Sequence, residues 1–174
     1  MSNPFQVGDK VVYPNHGVGI IEQISSRTIG AQVEKLYMIT IKASSLKVMV
    51  PFKNVDTVGL RKVVKTSEIN EILGFLTDGD CSNCADWKDR YKENSDKMRT
   101  GSLMDVAMVM KSLLVLHQEK PLSFREKKML ERCKYLLVSE VALARNTQED
   151  EIEDLLMKTL AKSKLKFPEI SPDA

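Results

Sequence analysis

The sequence predicts an α+β protein in which a small β-barrel precedes an all-α helical bundle. Up to about residue 65, apolar residues form short β-branched runs, separated by turn residues at intervals of about ten. After that point the apolar residues recur every three or four positions, which is the spacing of amphipathic helices. We therefore expect domains at 1–65 and 66–162, followed by a flexible tail at 163–174.

Five strands are expected in the first domain. They are bounded by turn residues and span 5–13, 17–24, 36–41, 46–50 and 58–64. Residues 27–33 are expected to end the second strand and form a hairpin tip. An exposed strand edge at this hairpin would be a template for pairing with another chain.

Five helices are expected in the second domain, and capping residues predict where they begin. The N-caps are Ser67, a residue between 82 and 86, Ser102, Ser123 and Thr147. The helices are expected to end near residues 78, 99, 116, 145 and 162. Because residues 103–116 are apolar on most sides, the third helix is predicted to lie at the centre of the bundle.

The composition of the 174 residues is that of a soluble globular protein, with 43% hydrophobic and 29% charged residues. No apolar run reaches the roughly 18 residues of a membrane span, and residues 1–5 lack the features of a signal peptide. We therefore expect a cytoplasmic protein without a membrane partner. Three cysteines, an odd number, do not indicate a disulfide framework.

The net charge of +2 hides two basic regions. Residues 1–66 and 87–134 each carry a net charge of +5, whereas 67–86 carry −5 and 135–174 carry −3. The basic regions indicate an acidic partner, although a solvated surface also carries charge at this density.

The one tryptophan, Trp87, begins a helix in the second basic region and is followed by Lys88, Arg90 and Lys92. This combination suits a ring that wedges against stacked bases beside phosphate contacts. The alternative is a core tryptophan on an amphipathic helix, since most tryptophans are largely buried. Tyr91 lies on the same helical face, so part of that face must pack against the protein.

Sequence motifs of the common enzyme classes are missing, namely a Gly-rich dinucleotide turn, a Walker loop and a nucleophile elbow. His16 and His117 have no evident catalytic partner, so we expect no enzymatic activity. Cys81 and Cys84 form half of a zinc site, which Cys133 and His117 could complete. A zinc-binding or redox-responsive regulator is therefore an alternative, although Cys133 also fits an apolar core.

Segments spread along the chain share one pattern with a known family. They are VGDKVVYPNHG at 7–17, RTI at 27–29, VP at 50–51, Asn54, VGLR at 58–61, WKDRYK at 87–92, LS at 122–123, EKKML at 126–130, LVSE at 137–140 and ALA at 142–144. In this pattern the chain resembles, from about residue 5 to 160, the CarD/CdnL family of bacterial RNA polymerase-binding transcription regulators.

The resemblance implies a Tudor-like or SH3-like barrel at 1–65 that docks on the β subunit of RNA polymerase. Arg27, Thr28 and Ile29 would lie in the polymerase-facing strand region. Met49 would contact polymerase where some family members carry a basic residue. No cofactor is implied. We expect a monomer that associates with the nucleoid through polymerase.

The resemblance also implies that the helical domain contacts promoter DNA without sequence specificity. Trp87 would wedge into the minor groove at the upstream edge of the melted bubble and stabilise the open complex. Arg90, Lys92, Lys88 and Lys127 would contact DNA phosphates.

A third hypothesis follows from the Tudor-like barrel, namely a reader of modified peptides. Such a reader needs an open aromatic cage. The aromatic residues that the barrel offers are Phe5, Tyr13, Tyr37 and Phe52, and most of them are needed for its core.

Overall fold

The computed structural model of the protein describes residues 5–14, 16–79 and 87–168, including the backbone but not the side chain of Trp87. The first part is an antiparallel sheet with the strand order β4-β3-β2-β1-β5. The strands are β1 (Lys10–Tyr13), β2 (Gly17–Ile29), β3 (Gln32–Ile41), β4 (Lys47–Pro51) and β5 (Arg61–Lys62). A 3-10 turn (Phe52–Asn54) and helix α1 (Val55–Val58) connect β4 to β5.

The core of the sheet forms around β3, because alternate residues of a strand point to the same face. Tyr37, Ile39 and Ile41 are buried on that face and pack with Val11 of β1 and Ile21 of β2. Helices follow the sheet along the chain. The predicted α+β class is confirmed.

The β2–β3 hairpin extends to a final rung in which Ile29 pairs with Gln32. Gly30 turns the chain with a φ of 61°, so the predicted hairpin tip is confirmed. The fifth strand is shorter than predicted. Residues 55–58 are helical instead, Gly59 ends that helix with a φ of 74°, and only two residues then pair with β1.

In the described residues, five longer helices follow the sheet. They are α2 (Thr66–Asp78), α3 (Trp87–Arg99), α4 (Leu103–Glu119), α5 (Phe124–Arg145) and α6 (Glu149–Lys162). Helix α4 contacts α2, α3 and α5 and is buried around most of its circumference, so its predicted central position is confirmed. Nowhere in the described part of the chain is a helix both long and apolar enough to cross a membrane.

Two of the predicted N-caps are confirmed and two are wrong. The side chains of Ser102 and Ser123 accept hydrogen bonds from the first turns of α4 and α5. Ser67 and Thr147 do not cap, because the N-cap positions of α2 and α6 lie at residues 65 and 148. At α2 the Glu68 carboxylate reaches back to the N-cap backbone N–H, at 3.1 Å.

Residues 163–168 pack on the bundle, so the prediction of a flexible tail from residue 163 is wrong for this part. The Ser163 hydroxyl donates to the carbonyl of Leu76 at 2.7 Å, and the Gln118 amide donates to the carbonyl of Lys164 at 2.6 Å. Leu165 is buried in the helical core. Residues 169–174 of the predicted tail lie outside the described residues.

The sheet and the helices meet at a polar junction around Glu140 of α5, which is buried. Both of its carboxylate oxygens accept hydrogen bonds from the Arg61 guanidinium, and the Nη2–Oε2 distance is 3.0 Å. The Val64 N–H donates to the same carboxylate at 3.1 Å, and Arg61 Nε donates to the Gly101 carbonyl at 2.6 Å. A two-point ion pair fixes orientation as well as distance, so it holds the sheet and bundle in one relative arrangement.

Candidate functional site

The first candidate surface lies on the sheet and consists of Arg27, Ile29 and Met49; we call it the hairpin surface. Their partners on β3 are residues 34, 32 and 38, respectively. These even-numbered positions alternate with the odd-numbered core residues of β3, so they face away from the core. The three predicted residues therefore share the outer face of the sheet.

The hairpin surface is largely apolar, and at Met49 it reaches a free sheet edge. Ile29 is 51% exposed and Met49 is 57% exposed. Within the described residues, no strand pairs with the outer side of β4. Thr28 differs from its neighbours, because alternation turns it to the opposite face, where it pairs with the exposed Val33.

Glu34 fixes the hairpin surface by binding two cations from neighbouring elements. Lys53 Nζ, in the turn after β4, lies 2.8 Å from Glu34 Oε1, and Arg27 Nη2 of β2 lies 3.0 Å from Oε2. Hydrogen bonds from Lys53 and then Arg27 lower the pKa of the Glu34 carboxyl below its ordinary value. The charged end of Arg27 is thus held in place while half of its side chain stays exposed.

The second candidate surface is formed by the first turns of α3 and α5, residues 87–92 and 124–128; we call it the two-helix surface. Two contacts bring these turns together. Arg90 Nη2 lies 3.1 Å from Glu126 Oε1, and the guanidinium carbon of Arg125 lies 5.9 Å from the centre of the Tyr91 ring. The two helices therefore present their N-terminal turns side by side.

The prediction that Arg90 contacts DNA phosphates is contradicted by its burial. The side chains of Arg90 and Glu126 are only 6% and 7% exposed. A guanidinium buried to this extent cannot reach a phosphate on a ligand without leaving the interior and breaking its ion pair. Arg90 instead fixes α3 against α5, one helical turn after Trp87.

The other predicted residues of the two-helix surface are placed differently. Lys88, Lys92 and Lys127 are exposed. Trp87 is the first residue of α3, and its side chain lies outside the described part of the structure. Three lysines thus lie on the surface of two adjoining helices, at the end where the tryptophan begins α3.

Two family models together cover most of the chain. The model described as CarD-like/TRCF RID domain matches residues 5–64, and the model described as CarD, C-terminal domain matches residues 71–157. The chain belongs to the CarD family.

A relative in Bacillus subtilis agrees with this assignment. YdeB of Bacillus subtilis (strain 168), a candidate transcription factor by its name, is 34% identical over 149 residues, which cover 86% of this chain and 97% of YdeB. The solution NMR structure of the N-terminal domain of Myxococcus xanthus CarD is 34% identical, with coverage of 36% and 83% and a TM-score of 0.30. CdnLNt of Myxococcus xanthus is also 34% identical, with coverage of 37% and 90% and a TM-score of 0.31. As a member of the CarD family, this protein is a transcription regulator.

Cys133, which could complete the predicted zinc site, lies in the apolar core of the helical domain of this CarD-family protein. Burial raises the pKa of the Cys133 thiol to about 12. Its sulfur instead contacts Met98 Sδ at 3.4 Å in the core. Among the described residues no group of His, Cys, Asp and Glu could hold a metal ion, and the predicted ligands Cys81 and Cys84 lie outside them.

The aromatic residues proposed for a peptide reader belong mainly to the core. The Tyr37 ring stacks on Phe52 with centroids 4.2 Å apart and meets Phe5 edge-on at 5.6 Å. Tyr37 and Phe5 are buried. Tyr13 packs against His16, with centroids 4.9 Å apart, and does not complete a cage.

Lys111 of α4 is a buried cation that the sequence pattern did not single out. Its Nζ donates to the carbonyls of Phe75 and Gly79, at 2.7 and 2.6 Å, at the C-terminal end of α2. The Phe75 carbonyl also accepts from the Gly79 N–H, so the ammonium is its second donor. The ammonium thus fixes the C-terminal end of α2, from which the chain continues toward Trp87. The sequence feature that could have indicated its burial is its position within the apolar run of α4.

Proposed function

We propose that the sheet docks on the β subunit of RNA polymerase and that the helical domain then stabilises the open promoter complex through Trp87. Residues 1–65 would be the docking domain and 66–162 the DNA-contacting domain of a monomer. The hairpin surface is the observation that carries this proposal. Three residues that the family resemblance implicates in polymerase contact share one exposed face beside a sheet edge.

Docking by strand addition suits this surface. An added strand can hydrogen-bond with the outer backbone groups of β4 and place side chains against Met49. Ile29 lies farther in, on β2, and would contact another part of the polymerase surface. Apolar side chains at the centre of such an interface supply most of the affinity, and a charged group at its edge favours the correct orientation. Arg27, held by Glu34, is suited to pair with an acidic residue of the polymerase.

The DNA contact follows from the difference between melted and intact duplex. At the edge of a bubble the bases are already partly unstacked, so inserting a ring costs less there than the few kcal/mol per step of intact DNA. A ring that favours the melted state shifts the equilibrium toward the open complex. Lys88, Lys92 and Lys127 are proposed to contact phosphates, which carry no sequence information.

The junction at Arg61 and Glu140 would connect the two activities. When the sheet is docked, a fixed junction determines where α3 and α5 lie relative to the DNA. Docking also raises the effective concentration of a surface whose few lysines neutralise few phosphates. Association with the nucleoid would then depend on polymerase.

The docking step is tested by measuring how variants with an added or reversed charge on the hairpin surface bind the core RNA polymerase of the source organism. Arg27→Glu and Met49→Asp are each expected to weaken binding about tenfold or more, which corresponds to about 1.4 kcal/mol. Lys35→Glu is the matched control, because it makes the same charge change on the opposite face of the hairpin. Equal binding by Arg27→Glu, Met49→Asp and the unchanged protein would contradict the proposed surface.

A further inference from the structure

Phe124 is an exposed aromatic residue that the contacts described above leave unused. It is the first residue of α5 and is 72% exposed, although its helix is largely buried farther along. A single exposed apolar side chain is ordinary on a protein surface, so it is the surroundings of this ring that make it a candidate contact residue.

The ring lies in basic surroundings. Residues 120–128 contain four basic residues and one acidic residue. The acidic one, Glu126, faces inward and is paired with Arg90, so it does not offset the charge at the surface. Arg125, Lys127 and Lys128 are exposed, and Lys128 Nζ lies 4.7 Å from the centre of the Phe124 ring.

This geometry leaves one face of the ring for a ligand. The Lys128 ammonium covers the other face, where the negative side of the ring's quadrupole attracts it. A flat group could therefore stack on the open face while its own negative charge meets the surrounding cations. Nucleic acid combines these two properties, since each base has a flat face and each linkage carries a phosphate.

We infer that Phe124 is a second stacking contact for DNA and receives an unpaired base of the strand that leaves the Trp87 position. This inference rests on the proposed function, because it takes promoter DNA as the ligand. The side-by-side first turns of α3 and α5 place Phe124 on the same two-helix surface as Trp87. A protein ligand fits less well, because an apolar pocket over this ring would bury the Lys128 ammonium without a countercharge.

The inference is tested with the full chain by fluorescence anisotropy at low salt. The probes are a labelled forked DNA with one single-stranded arm and a fully paired duplex of the same length. Phe124→Ala is expected to weaken binding to the forked DNA roughly 5- to 10-fold, from the loss of one base stack, and to change duplex binding less than about twofold. Phe124→Tyr keeps the ring and should bind like the unchanged protein. Met157→Ala, which removes an exposed apolar side chain from α6, is the matched control.

The outcomes separate this inference from the proposed function. Unchanged binding of Phe124→Ala to the forked DNA, an equal loss on both DNAs, or no preference of the unchanged protein for the fork overturns the stacking contact. Weaker binding of Phe124→Ala to polymerase without DNA would make the ring a protein contact and also overturn it. Trp87→Ala is measured in parallel. If Trp87→Ala binds the forked DNA as well as the unchanged protein does, whereas Phe124→Ala binds it less well, the wedge is contradicted and the Phe124 contact stands.

Discussion

Arg90→Met should destabilise the protein strongly, because it leaves the carboxylate of Glu126 buried without its cation. The two side chains are 6% and 7% exposed, and their nearest atoms are 3.1 Å apart. Removing one member of a buried ion pair costs about 3–5 kcal/mol, which is a large share of the 5–15 kcal/mol by which domains are stable. For a chain of this length the melting temperature should fall by about 6–20 °C.

Urea denaturation followed by far-ultraviolet circular dichroism measures this effect directly. Lys92→Met is the matched control on the same helix, and because Lys92 is exposed its free energy of unfolding should change by no more than about 0.5 kcal/mol. In the double variant Arg90→Met with Glu126→Gln, neither position carries a buried charge. Its glutamine can still accept from the Ser123 N–H, which now lies 3.3 Å from Glu126 Oε2, so most of the lost stability should return.

A different result would restore Arg90 as a phosphate contact. In that case Arg90→Met would be about as stable as the unchanged protein. Its affinity for DNA would fall, and the slope of log K against log salt would decrease in magnitude by about one. Unchanged stability, together with this loss of affinity, would refute the assignment of Arg90 to the interior.

Three further changes test other parts of the structure. Glu140→Ala leaves Arg61 without its carboxylate partner, so the free energy of unfolding should fall by about 2–3 kcal/mol and amide exchange in β5 should become faster. Unchanged amide exchange in β5 would show that the ion pair does not hold the junction. Burial raises the pKa of the Cys133 thiol to about 12, so this thiol should react slowly with iodoacetamide at pH 8. In a variant whose other two cysteines are replaced by serine, alkylation should require unfolding by urea. Rapid alkylation of the folded variant would contradict this. Folding lowers the pKa of Glu34, so the stabilisation from its ion pairs is fully present above the ordinary pKa of 4.5 and is lost as pH falls through the folded-state pKa. Amide exchange at the hairpin tip should therefore rise over this pH range in the unchanged protein. It should not rise in Glu34→Gln, which has no carboxylate to protonate.

Local patterns predicted the parts of the fold that depend on local chemistry. Ser102 and Ser123 cap their helices because a cap needs only residues within one turn. The β2–β3 hairpin follows in the same way from two β-branched runs around Gly30. These features could be read from the sequence because the interacting residues are near one another in the chain. The caps predicted at Ser67 and Thr147 were wrong by two residues and one residue, respectively.

The larger errors concern charged or polar residues whose partners are distant in sequence. Nothing near Arg90 indicates that Glu126, 36 residues later, shares its buried position, and charged residues are ordinarily expected at the surface. The hydroxyl of Ser163 is likewise satisfied 87 residues away by the carbonyl of Leu76, which turns a predicted tail into packed structure. Lys111 reaches the end of α2 in the same way.

The most direct test of the central claim is the lifetime of the open promoter complex with Trp87→Ala. RNA polymerase, promoter DNA and saturating protein would be mixed, and the decay of open complexes followed after addition of a competitor. We predict that Trp87→Ala binds polymerase as well as the unchanged protein does, while the open complexes decay as fast as they do without the protein. A lifetime equal to that with the unchanged protein would contradict the wedge.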